Sequence, residues 1–224
     1  MPEMRGLRKR SLEVRVGEHT VTVTLQGEEE GAVPLLMCHG VGLDQRRWGE
    51  FRNQIPRATI AFDVQPEHLG RWPSIPQYAR FVSRVMDRLG IERYDVLGLS
   101  WGGVTAQQLA LTQPRRVRRA VLAGTSPGFL SVPVHPVTVA SFMHPDRSEA
   151  NREHLIRRVY AGDFVHRPEL LTELGLVREV DASAYRRQLL ALLGWTSVPF
   201  LPTLRQPTLI LHGDDDPVFP LANA

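Results

Sequence analysis

With 224 residues, 42% of them apolar and 23% charged, the chain has the make-up of one globular domain, or of one domain carrying an insertion. That composition excludes a disordered polyelectrolyte, a collagen-like repeat and a disulfide scaffold. Formal charge is only +3 with a pI near 9.5, and Lys9 is the sole lysine, so the basic side is almost wholly arginine; the excess is too small to demand nucleic acid, and aromatics at 7% are too scattered for a base-stacking platform.

The N-terminus carries Arg5, Arg8, Lys9 and Arg10, but Ser11-Leu12-Glu13-Val14-Arg15 is no hydrophobic region, so no secretory signal is expected. Two short strands follow, Ser11 to Val16 and Thr20 to Leu25, with Val21, Val23 and Leu25 alternating with threonines and Gly17-Glu18 as the turn. Gly27 to Gly31 reads as a solvated acidic loop. Pro34 to Cys38 is a continuous apolar run, as a strand buried on both faces requires. Its Cys38 is the only cysteine, so no internal disulfide can form and a reducing compartment is expected. After His39-Gly40-Val41-Gly42, a second apolar run, Ala58 to Phe62, ends at Asp63.

Tyr78, Phe81, Val82, Val85, Met86 and Leu89 recur at helical spacing, predicting a helix over Gln77–Leu89 closed by Gly90. A strand over Tyr94–Leu99, a helix over Trp101–Thr112 stopped by Pro114, and a strand over Val117–Ala123 follow. Strands alternating with helices specify a mostly parallel, doubly wound α/β sheet. From Ser126 to about Leu204 the text turns helical and proline-punctuated. Leu155, Ile156, Val159 and Tyr160 share one helical face, and Tyr185, Leu189, Leu192 and Leu193 another. The expected organisation is a core made of 1–125 and 205–224, with 126–204 as a helical lid and a last strand over Pro207–Leu211. No apolar run approaches the roughly 18 residues that a bilayer requires, so a cytoplasmic protein with no membrane span is expected.

Three segments could carry chemistry. Gly98-Leu99-Ser100-Trp101-Gly102-Gly103 lies between a predicted strand and a predicted helix, the context of the G-x-S-x-G nucleophile elbow. Side chains at 98 and 102 would collide with neighbouring backbone, and the helix N-terminus points positive potential at charge developing beside Ser100. His39-Gly40-Val41-Gly42 follows a buried strand, and Gly40 lets backbone approach a substrate carbonyl. Val41 and Trp101 N–H are the candidate oxyanion donors, with His39 orienting the loop by hydrogen bonding. In His212-Gly213-Asp214-Asp215-Asp216-Pro217-Val218-Phe219-Pro220, Asp216 is the candidate partner of an imidazole, through G-x-x-D-x-x-x-P. The three aspartates lack the alternating spacing of a calcium loop, so no metal and no other cofactor is expected. His135, His144, His154 and His166 fall in the lid and His19 and His68 in loops, where packing or surface roles are expected. Arg115-Arg116-Val117-Arg118-Arg119 reads as a solvated rim.

Together these residues resemble the α/β-hydrolase fold. Leu97 to Gly103 with Ala106-Gln107-Gln108 is similar, more narrowly, to the intracellular poly(3-hydroxyalkanoate) depolymerases. So are Tyr160-Ala161-Gly162-Asp163-Phe164 with Arg167 to Leu170, Leu193-Gly194-Trp195-Thr196-Ser197, and Gln206 to Leu209 leading into Gly213 to Pro217. The resemblance runs from about Pro34 to Ala224. It implies a serine hydrolase of storage polyesters acting through an acyl-enzyme: Ser100 as nucleophile, Asp216 as the histidine's partner, Val41 and Trp101 as oxyanion donors, and association with intracellular storage granules. Phe129, Phe142, Leu155 and Trp195 would offer the lid's apolar surface to aliphatic side chains of the polymer. Two departures stand out. Where the family has a glycine-rich loop bordering the site, Val64 to Trp72 stands here. Eight residues follow Asp216, none of them histidine, whereas the family's catalytic histidine lies beyond the last strand. The expectation is a fragment or a truncated relative lacking the last strand and helix. A small-molecule esterase or lactonase of the same fold, and a non-catalytic binding module, are the alternatives.

Overall fold

The computed structural model describes residues 9–27, 32–133, 135–144, 146, 148–160, 162–174, 176 and 180–224. Arg5, Arg8, the acidic loop after Gly27, and the side chains of Phe142 and Leu155, all read above from sequence, lie outside the described residues.

The frame is a seven-stranded sheet in the order β1-β2-β4-β3-β5-β6-β7. Strands β1 (Lys9–Val16) and β2 (His19–Gln26) form an antiparallel hairpin, and β2 also runs antiparallel to β4 (Thr59–Phe62). From there inward the pairing is parallel, through β3 (Leu35–Cys38), β5 (Tyr94–Leu99), β6 (Val117–Ala123) and β7 (Thr208–Leu211). Burial explains the two sequence patterns. Every residue of β3 and β4 is buried, which only an uninterrupted apolar run survives, whereas β1 buries Val14 and Val16 and exposes Glu13 and Arg15.

A short helix α1 (Gly49–Asn53) precedes β4, and α2 (Ile75–Arg88) and α3 (Trp101–Thr112) flank β5 in the chain. Helix α2 starts two residues before the periodicity predicts. Ser74 caps it, accepting from Gln77 N–H at 3.4 Å, and Pro76 sits in the first turn, where its missing N–H costs nothing. Past its last residue, Arg88, Gly90 (φ +70°) turns the chain, with Ile91 N–H donating back to Met86 O at 2.9 Å. Phe81, Val82, Val85 and Met86 of α2, with Ala106 and Leu109 of α3, pack into the buried cluster that holds Val14, Val23, Leu36 and Phe62.

Two expectations about surface groups change. His19 opens β2 rather than lying in a loop, and His68 is 3% exposed in a 3-10 turn over Pro66–Leu69, stacked 4.2 Å from the Phe81 ring. In the Arg115–Arg119 run only the outer two arginines are exposed. Arg118 grips the buried Asp95 through Nε at 2.9 Å and Nη2 at 2.8 Å, Arg57 reaches the same carboxylate at 2.5 Å, and Arg116 pairs with Asp87 at 2.8 Å. Burial alone would raise the Asp95 carboxyl, but the Arg118 and Arg57 hydrogen bonds outweigh it and hold the group below the ordinary range.

Between β6 and β7 the described chain is helical: α4 (Pro136–Met143), α5 (Arg152–Arg158), α6 (Asp163–His166), α7 (Leu170–Glu173) and α8 (Ala182–Leu190). Tyr185 and Leu189 are buried on α8 as the periodicity requires, but the helix stops at Leu190. The chain turns ahead of Gly194 (φ +72°), so Leu193 leaves the shared face and stands 73% exposed. Tyr160 likewise lies past the end of α5. Strand β7 sits at the edge of the sheet with Leu209, Ile210 and Leu211 half-exposed. Among the described residues no helix is long and apolar enough to cross a membrane.

Candidate active site

Strand β5 ends at Leu99 and α3 begins at Trp101, so Ser100 alone makes the turn between them. It adopts φ +53°, ψ −116°, and among the described residues it is the one non-glycine with positive φ. That conformation costs an L-residue about 1–3 kcal/mol and persists only where the surroundings enforce it. Here Ser100 N–H donates to Ala123 O at 2.9 Å, and its carbonyl accepts from Gly103 N–H and from Thr125 Oγ1, both at 2.8 Å. The glycines are steric necessities. A Cβ on Gly98 would fall far inside contact distance of the Gly102 backbone, one on Gly102 would meet the Cys38 carbonyl, and one on Gly103 would lie 2.6 Å from Thr125 Cβ.

The His39–Gly42 loop abuts this turn: a Cβ on Gly40 would lie 3.4 Å from Ser100 Cβ. Leu43 N–H donates to Gly40 O at 3.1 Å, and Gly42 takes φ +62°. The buried His39 ring fixes the loop from beneath. Its Nε2 accepts from Val64 N–H at 3.3 Å, which leaves Nδ1 to donate to Gly40 O at 2.9 Å. Val41 N–H and Trp101 N–H, the two sequence candidates, have no protein acceptor among the described residues. The neighbouring Gly42 N–H is taken, donating to Gln188 Oε1 at 2.7 Å.

Beyond β7, Asp216 Oδ1 accepts from Val218 N–H at 2.8 Å and Phe219 N–H at 2.9 Å, so the carboxylate is held by its own turn. His212 Nε2, 2.7 Å from Phe219 O, closes the same loop. Asp214 and Asp215 are exposed, and Asp215 accepts from Gly162 N–H at 3.2 Å. Asp215 and Asp216 therefore engage different backbone groups, and among the described residues no group of three or more His, Cys, Asp or Glu side chains could hold a metal ion. One cavity of about 310 Å³ joins the sequence candidates: Gly40, Val41, Ser100 and Asp216 line it, with Tyr160 and Phe164 among the residues covering it. A second, of about 190 Å³, shares Val41, Ser100 and Phe219 and adds Trp101, Phe129 and Leu192. No histidine is among the residues lining either cavity.

Two sequence readings are corrected. Trp195 is 8% exposed, its Nε1 donating to Gln108 Oε1 at 2.8 Å, so it offers no open apolar surface; Phe129, 61% exposed, does. Around Trp195, Ser197 Oγ donates to Gln107 Oε1 at 2.6 Å and Ser197 N–H to Pro127 O at 2.8 Å. The Gly-Trp-Thr-Ser segment thus ties both ends of the 126–204 stretch to α3. The Val64–Trp72 loop lines neither cavity; it folds under α8, where Arg187 donates to Pro66 O at 3.2 Å and to Gly70 O. Gln188 was not singled out by the motifs, and a signal was present. It sits three residues after Tyr185 and one before Leu189, a polar residue on the apolar stripe of α8, 2% exposed.

Against known proteins, a family model described as alpha/beta hydrolase fold matches residues 33–224. A poly(3-hydroxyalkanoate) depolymerase of Ectopseudomonas oleovorans is 34% identical over 94% of this chain and 77% of its own length. A 2-hydroxy-6-oxononadienedioate/2-hydroxy-6-oxononatrienedioate hydrolase of a Pseudomonas species is 27% identical over 94% of this chain and 81% of its own. Among solved structures, the enol-lactonase of Burkholderia xenovorans LB400 superposes with a TM-score of 0.75 at 22% identity, covering 96% of this chain and 85% of that one.

Proposed function

The chain belongs to the α/β-hydrolase fold family, and from that premise we propose that it is a serine hydrolase of carboxylic esters, most like an intracellular poly(3-hydroxyalkanoate) depolymerase. One observation carries the reading: Ser100, on its strained turn, and Asp216, held by its own loop, line the same 310 Å³ cavity. Ser100 Oγ attacks the ester carbonyl, and the oxyanion settles on Val41 and Trp101 N–H at the positive end of α3. An imidazole oriented by Asp216 takes the serine proton and passes it to the leaving alkoxide; water then releases the 3-hydroxy acid by the same route in reverse. The chemistry draws on no metal or organic cofactor. Ser100, Asp216 and Val41 line the larger cavity and Trp101 the smaller one, whereas no histidine lines either. In this reading the protein works in the cytoplasm on a polyester substrate at storage granules, with Phe129 presenting apolar surface at the mouth.

A small-ester or lactone substrate is the second reading, favoured by Tyr160 and Phe164 covering the larger cavity and by its modest volume. Intact mass after treatment with a fluorophosphonate probe tests the shared chemistry. One adduct on Ser100 is expected, and Ser100→Ala should lose both labelling and ester turnover while melting within about 1 kcal/mol of the parent. A folded parent that takes no label, or a Ser100→Ala variant that still turns over ester, would remove Ser100 from the mechanism.

A further inference from the structure

The two N–H groups that would hold the oxyanion come from segments 60 residues apart, and one residue of the 126–204 stretch touches both. Gln188 lies on α8, outside the sheet that builds the rest of the site, and is 2% exposed. Its side-chain Oε1 accepts from Gly42 N–H at 2.7 Å, and its backbone carbonyl accepts from the Trp101 indole Nε1 at 2.8 Å. The same helix seats the loop sterically. Tyr185, 1% exposed, leaves no room at Gly42, where a Cβ would fall 2.6 Å from its ring and 3.2 Å from Val180 Cγ1.

Accepting on that reading that Val41 and Trp101 hold the oxyanion, we propose that Gln188 is a positioning residue which sets the distance and direction of both donors. In a turn closed by Leu43 N–H to Gly40 O, two amides, those of Val41 and Gly42, compete to face the cavity. Gln188 takes the second, which leaves the Val41 amide, without a protein acceptor among the described residues, to serve the cavity that Val41 and Ser100 line together. On the other side, the indole bond stops Trp101, the first residue of α3, from rotating away from the turn. Tyr78, 5.0 Å from the Trp101 ring, supports it from below. Gln188 has no place among the residues lining either cavity, so it acts on the reaction through the backbone it holds rather than by touching substrate. The α8 segment in consequence braces the oxyanion site through the backbone behind it. Displacing one donor by about 1 Å is enough to cost on the order of 100-fold in rate.

Gln188→Met keeps the length and removes the strong acceptor. On a soluble p-nitrophenyl ester, it should lower kcat by about 100-fold with KM within about twofold, the signature of an interaction lost only in the transition state. Hydrogen exchange should quicken at the Gly42 amide. Trp101→Phe, which deletes the indole donor and keeps an aromatic, if smaller, side chain, should lower kcat at constant KM and decides the matter should Gln188→Met not fold. Unchanged kcat in an active, folded variant, or a rise in KM alone, overturns the assignment. An inactive parent is a different result: it overturns the ester-hydrolase reading and with it the catalytic meaning of the clamp, while exchange at Gly42 still reports whether the bond exists.

Discussion

Among three aspartates in a row, physical context rather than motif picks one. Asp214 and Asp215 are exposed, and Asp215 is engaged with the Gly162 amide, whereas Asp216 is 20% exposed at its side chain and lines the cavity of Ser100. Two backbone amides hold its Oδ1, while its Oδ2 stands 3.9 Å from His212 Nε2 and 3.9 Å from where a Cβ on Gly124 would be, beside β6. Asp216→Asn should retain the loop geometry, because the amide oxygen can accept the same two N–H bonds, and should lower ester turnover by about four orders of magnitude through the wrong imidazole tautomer. Steady-state kinetics on a soluble ester, with thermal melts as the folding control, check this. Unchanged kinetics would move the role to Asp214 or Asp215.

At the scale of elements, the strand-turn-helix about Ser100 depends on the absence of side chains. Gly102 backs directly onto the Cys38 carbonyl of β3, so Gly102→Ala must push α3 away from the sheet or shift the His39–Gly42 loop. A loss of about 2–3 kcal/mol in denaturant unfolding is expected, with ester turnover falling further than stability accounts for, because the same displacement moves Trp101 N–H. This element was legible in sequence because its glycines, its strand and its helix all say the same thing locally; Tyr94–Leu99, Trp101–Thr112 and Val117–Ala123 match the observed bounds. Asp216, Val41 and Ser100 come together as the order of motifs implies. What was not legible depends on partners remote in sequence. Trp195 reads as free apolar surface until Gln108 is seen to accept its indole N–H across 87 positions. Gln188 reads only as a polar residue on an apolar helix stripe, and its partner shows when Gly42 arrives from 146 positions away. The inner arginines of the 115–119 run look solvated because their targets lie elsewhere in the chain, Asp87 on α2 for Arg116 and the buried Asp95 of β5 for Arg118.

The whole molecule joins at the turn Pro66–Leu69. Its His68 stacks on Phe81 of α2 and lies 6.0 Å from the His19 ring at the start of β2, while Arg187 of α8 holds the same turn from the other side. Hairpin, α2 and the helices above the sheet thus share one buried imidazole. Burial lowers its pKa from 6.5 to about 4. The folded state therefore favours neutral His68, and below pH 6.5 the unfolded chain binds the proton that the native chain refuses. Stability then falls as pH drops from about 6.5 to about 4, by about 3 kcal/mol from this group. Asp95 acts with the same sign but lower on the scale. Its carboxyl is held below the ordinary 3.8, so its contribution is intact above that value and drains away only beneath it. The two windows are separable. Urea unfolding from pH 7.5 down to 4.5 should show an acid limb in the parent that His68→Phe flattens. The variant should begin about 1 kcal/mol lower at pH 7 for the loss of the bond from Gln65 N–H to His68 Nδ1. Parallel acid limbs in the two proteins would place the proton uptake elsewhere and leave the buried turn without a role in acid sensitivity.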